Sequence, residues 1–145
     1  MIDLDNQTTL HIDLLALEKI ASSLTTKEVE LIIIDNKTMK ALNLEYREKD
    51  SSTDVLSFPI DTPFTEQSTF GIPLGSIVIS VDYVKDKAAS LRHTVQDELS
   101  LLFIHGILHL LGFDHEKDEG EMRIREEELI KMFDLPKSLI VRTGE

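Results

Sequence analysis

Three of the five histidines in this sequence are spaced for metal chemistry. His105 and His109 stand four residues apart in an apolar run that reads as a helix. Four residues carry a helix about 40° past a full turn and advance it roughly 6 Å, so both imidazoles face one side. Gly112 then lets the chain leave the helix in a conformation most residues avoid. His115, three residues further on, can swing back toward the first two. Three imidazoles converging from two directions suit zinc and leave one tetrahedral position for water or substrate. A single histidine on an apolar helix is more often a hydrogen-bonded core residue, and two are ambiguous, because buried imidazole nitrogens need partners. The third histidine, just past a helix-ending glycine, turns the balance to metal ligation. His11 and His93 lie outside the pattern and are expected on the surface. With no cysteine in the chain, a metal must be held by histidine and carboxylate. Imidazole also suits nickel, copper and iron, so the donor types alone do not name the ion.

The spacing His105-Gly106-x-x-His109-x-x-Gly112-x-x-His115 copies the metzincin pattern in all but one position. In zinc peptidases of that kind a glutamate follows the first histidine and acts as general base. Here that place holds Gly106. The pattern therefore implies a metzincin-like metal-binding helix turned to another reaction. Met122 lies inside a helical pattern and reads as a core residue rather than the methionine turn of that group. Asp114, beside His115, could orient a histidine, accept a proton or cap the turn.

These residues need elements to hold them. An alternating apolar and acidic start, residues 2–5, suggests a short edge strand. Apolar residues at helical spacing mark a helix over 12–24, and the β-branched run Val29 to Ile34 marks a central strand. Asp35 or Asn36 can cap a helix running to about Tyr46. A polar loop, 47–52, leads to a strand over 54–58 that stops at Pro59, and a loop over 61–73 precedes a second clear strand, 75–81. A helix follows over about 83–91. Thr94 with Asp97 then opens the histidine-bearing helix, apolar nearly all round and ending at about Leu111, and a last helix spans about 117–133. Strands early and helices late suggest an α+β fold, a small mixed sheet of four strands packed with helices, in one domain over 1–145.

Composition narrows the function. The chain has 145 residues, 15 basic and 27 acidic, for a net charge of −12. That surplus of acid argues against general nucleic-acid binding, which depends on neutralising phosphates, and leaves room for a local basic cleft or a basic partner. No basic segment followed by an apolar run opens the chain, and Leu99 to Phe113 is shorter than the roughly 20 residues of a membrane span. A cytoplasmic protein with no membrane attachment is expected.

Two segments together resemble a known family. HGILHLLGFDH, from His105 to His115, looks like the signature of the YbeY endoribonucleases, also called rRNA maturation factors, and LNLEYREKDSSTDVLSFP, from Leu42 to Pro59, resembles that family's second motif. The order of the whole chain fits as well. The resemblance implies that His105, His109 and His115 hold one zinc ion and that Arg47 matches the family's functionally important arginine. It further implies cleavage of single-stranded RNA in small-subunit rRNA 3′-end maturation and ribosome quality control, with the small ribosomal subunit and its assembly proteins as partners. Asp54 and Ser57 belong to the same motif, where Asp54 could orient Arg47 and Ser57 could line the cleft. Two other readings stand beside this one: a metallohydrolase of another class, disfavoured by Gly106, and a non-catalytic assembly factor whose zinc only stabilises the fold.

Overall fold

The computed structural model describes residues 1–60, 73–114 and 117–136. Its order is β1 (Ile2–Asn6), α1 (Leu14–Leu24), β2 (Val29–Ile34), α2 (Asn36–Arg47), β3 (Val55–Pro59), β4 (Gly75–Ser80), α3 (Val81–Leu91), α4 (Val95–Leu110) and α5 (Glu121–Met132). The strands form one mixed sheet in the order β1-β2-β4-β3. β1 and β4 run parallel to β2, and β3 returns antiparallel to β4, with Ser57 opposite Ile77. This is the α+β arrangement that the sequence implies, with β3 left at the edge beside α4.

Both faces of the sheet are covered, which is why β2 is apolar at all positions but Glu30 and β4 carries the apolar run Ile77, Val78 and Ile79 at its centre. Side chains alternate across a strand. Val29, Leu31, Ile33, Ile77 and Ile79 join Leu17, Phe103 and Ile107 in the larger core. Ile34, Val78 and Leu56 meet Met39 of α2 on the other side. Each large apolar side chain so buried contributes about 1.5–3 kcal/mol before the cost of ordering it.

Helix boundaries follow local chemistry. Asp13 caps α1 and Asp35 caps α2, each accepting from a backbone N–H three residues on. Thr94 and Asp97 form a reciprocal capping box at the start of α4. α3 begins at once after β4 at Val81, two residues earlier than the periodicity suggests. α5 begins at Glu121 rather than near 117, because Asp118 holds a turn: its carboxylate accepts from the N–H groups of Gly120 and Met122. Gly120 there has φ 106°, which favours glycine. Met122 is buried in the core, as expected.

His11 is exposed, but His93 corrects the expectation of a surface residue. Arg92 ends α3 in a left-handed conformation, and the His93 N–H donates to the Ala88 carbonyl at 3.1 Å. The imidazole is thereby turned under α4, where Nε2 lies 2.8 Å from Oε1 of Glu98, with side chains 1% and 0% exposed. A buried carboxylate requires hydrogen-bond donors, and this ring provides one. The loop expected over 61–73 falls mostly outside the described residues. Among the described residues no helix is long and apolar enough to cross a membrane.

Candidate functional site

α4 is buried on nearly every side, yet His105 and His109 stay half-buried on the flank that meets β3 and α5. Their Nε2 atoms face each other at 3.1 Å, with the rings 4.7 Å apart and steeply inclined. Two nitrogens on one tetrahedral zinc, each about 2.0–2.1 Å from the ion, would lie roughly 3.3 Å apart, so this pair has the spacing of two ligands of a common ion.

Glu126 supports the pair from behind. Its Oε1 lies 2.6 Å from Nδ1 of His105, and its side chain is only 6% exposed. A carboxylate oxygen accepts, so a neutral His105 donates from Nδ1 and keeps its lone pair on Nε2, aimed toward His109. A carboxylate in this place fixes both the orientation and the tautomer of a metal-binding imidazole. Sequence reasoning missed Glu126. The signal was present, since Met122, Glu126, Leu129 and Ile130 form the buried stripe of α5, and an acid in an apolar stripe needs a partner.

The helix end is shaped by Gly112. Its N–H donates to the His109 carbonyl and that of Phe113 to the Leu108 carbonyl, a Schellman closure with Gly112 at φ 104°. The chain thus leaves the helix at Gly112, three residues beyond His109. His115 lies outside the described residues. Asp114 lines the cleft beside the histidines, and its backbone carbonyl accepts from the N–H groups of Lys117 and Asp118.

Gly106 has a packing reason. A Cβ there would lie 2.8 Å from Cγ2 of Ile77 in β4. The position that carries the base of zinc peptidases is therefore pressed against the sheet.

The opposite wall comes from the turn after α2. Buried Asn43 donates from Nδ2 to the Ser51 carbonyl at 2.8 Å, and Glu48 closes the helix in a left-handed conformation. This delivers Arg47 to the rim of the cleft, where Nη2 donates to the Ser57 carbonyl at 3.3 Å and the guanidinium carbon stands 6.0 Å from the centre of the Phe58 ring. Ser57 lines the cleft and donates its hydroxyl to the Gly106 carbonyl at 3.4 Å. The Asp54 carboxylate accepts from Val55 N–H at 2.8 Å. Arg47, Ser57, His105, His109 and Glu126 thus share one cleft of about 1030 Å³.

The Endoribonuclease YbeY family pattern matches residues 2–134. The chain belongs to this family. YbeY relatives match it along almost its whole length. The endoribonuclease YbeY of Sulfurovum sp. (strain NBC37-1) is 66% identical over 142 residues, covering 98% of this chain and 97% of the relative. That of Aliarcobacter butzleri is 56% identical, covering 99% and 100%, and that of Helicobacter pylori J99 is 52% identical, covering 100% and 99%. Among solved structures, the solution structure of TM1509 from Thermotoga maritima superposes with a TM-score of 0.61 at 26% identity, covering 92% of this chain and 89% of that one.

Proposed function

We propose that the protein is a zinc-dependent endoribonuclease that cuts single-stranded RNA, and that it acts in the cytoplasm in small-subunit rRNA 3′-end maturation and ribosome quality control, with the small subunit and its assembly proteins as partners. The observation that carries the reading is the facing Nε2 pair of His105 and His109, braced by Glu126 in the cleft that also holds Arg47. Membership in a family of endoribonucleases supports the RNA substrate.

His105, His109 and His115 would hold the ion. When bound, zinc supplies a Lewis acid for a phosphoryl oxygen and can lower the pKa of a water molecule to about 7. The protein's own groups do the rest. Arg47 offers a planar fork of donors that can grip two phosphate oxygens and offset the charge that builds on them during cleavage. Phe58 and the Ser57 carbonyl hold that guanidinium at the cleft rim. Glu126 keeps the His105 lone pair directed into the cleft. Gly106 leaves no carboxylate next to His105 to serve as a peptidase base.

The test is cleavage of a single-stranded RNA by wild type, His109→Ala and Arg47→Ala, purified side by side. Wild type cleaves and a chelator stops it. His109→Ala loses both metal and activity, whereas Arg47→Ala loses activity at unchanged metal content. Equal cleavage by all three proteins, or none by wild type, would overturn the reading, and loss of metal in Arg47→Ala would make that residue structural.

A further inference from the structure

Tyr46 is the penultimate residue of α2 and is 60% exposed. It continues the stripe of Met39 and Leu42, which pack on Ile34, Leu56 and Val78. At the last turn the stripe reaches the edge of the sheet, where the Tyr46 ring meets Phe58 of β3 edge-on, centroids 5.5 Å apart at 67°. Phe58 thus braces a large aromatic ring while most of that ring stays in water. The next residue is Arg47, whose guanidinium lies by the same Phe58 and lines the cleft of His105 and His109.

We propose that Tyr46, braced by Phe58, is a stacking subsite for a nucleobase of single-stranded RNA, adjoining the phosphate held by Arg47. The inference rests on the ribonuclease reading and deepens it. Unpaired bases expose both faces and stack on aromatic rings and guanidinium planes, whereas bases in a duplex are already stacked on each other. A protruding ring one residue from a phosphate-gripping arginine therefore selects single strands. Stacking also needs no positive charge, so it provides affinity that a chain of net charge −12 cannot draw from phosphates alone.

The chain contains two tyrosines and no tryptophan, so with Tyr83→Phe as background its intrinsic emission reports on Tyr46. A short single-stranded oligoribonucleotide is titrated into this protein in chelator, which prevents cleavage, with binding followed in parallel by anisotropy of labelled RNA. The single strand quenches tyrosine emission, and the matching duplex does not. Tyr46→Leu weakens binding by about 5- to 150-fold, the loss expected for one base–aromatic stack, and Tyr46→Phe restores it. Binding without quenching, or equal binding by Tyr46→Leu, overturns the subsite and leaves the ribonuclease reading standing if that protein still cleaves. Absence of any single-strand binding by the Tyr83→Phe protein overturns the subsite, and the reading beneath it falls with it only if the metal-loaded protein also fails to cleave. Should Tyr46→Leu fail to fold, the quenching experiment, which needs no change at Tyr46, still decides.

Discussion

Glu126 gives up water to lie against Nδ1 of His105, and its value rests on that one contact. Glu126→Gln keeps size and an acceptor oxygen while removing the charge that makes the imidazole a better donor to metal. The expected outcome is zinc affinity about 10- to 100-fold weaker, read by chelator competition, with the metal-free melting temperature little changed. Unchanged affinity would reduce Glu126 to a packing residue. The case shows what was legible at this scale. His105 and His109 can be paired by eye because helix geometry brings residues four apart together. Glu126 meets His105 across 21 residues, from a helix whose docking no local spacing reveals. His93 was misread for a similar reason, since its burial depends on a left-handed turn at Arg92, a residue with no special preference for one.

Among the elements, α2 has the most to carry, for it ends in Tyr46 and Arg47 and is capped by Asp35. The Asp35 carboxylate accepts from Thr38 N–H at 2.8 Å, and this backbone hydrogen bond holds its carboxyl below the ordinary value of 3.8. A carboxyl acid strengthened by folding stabilises the folded state above its unfolded pKa and loses that contribution as pH falls through the lowered folded value. Wild type and Asp35→Ala should therefore differ in urea midpoint at pH 7 and converge below pH 3.8. A gap that persists undiminished in acid would assign the effect to something other than the ionised cap. The strands and helices themselves were largely legible, because β2 and β4 are β-branched runs and α4 carries its capping box in plain view. Their order in the sheet was not, since the insertion of β4 between β2 and β3 is a matter of pairing rather than periodicity.

For the whole molecule, charge sets the terms of encounter. A net charge of −12 surrounds a cleft whose lining includes the cations Arg47, Lys49 and Arg123 beside the carboxylates of Asp54, Asp114, Asp118 and Glu126. Three phosphate contacts at about 0.7 each give a slope of roughly −2 for log K against log salt on single-stranded RNA. Filter binding at several salt concentrations measures it, and a slope near −5 would reveal a phosphate track beyond this cleft. Binding to generic duplex RNA at physiological salt should be weak for the same reason. The acid surplus was readable from composition, but the gathering of these cations at one opening was not, because they come from α2, the turn after it and α5.

The close approach of α4 to β4 has a consequence for ancestry. Writing glutamate at position 106 would be the shortest mutational path toward a peptidase, yet its first carbon would meet the Ile77 side chain at 2.8 Å. Ile77 is fully buried and branched at Cβ, so it has little freedom to yield. The intermediate would carry an overpacked contact between α4 and β4, a cost of about 1–3 kcal/mol. A smaller residue in the strand would relieve that contact, so the acid in the helix and the change at position 77 are expected to be coupled, the first better tolerated once the second is made.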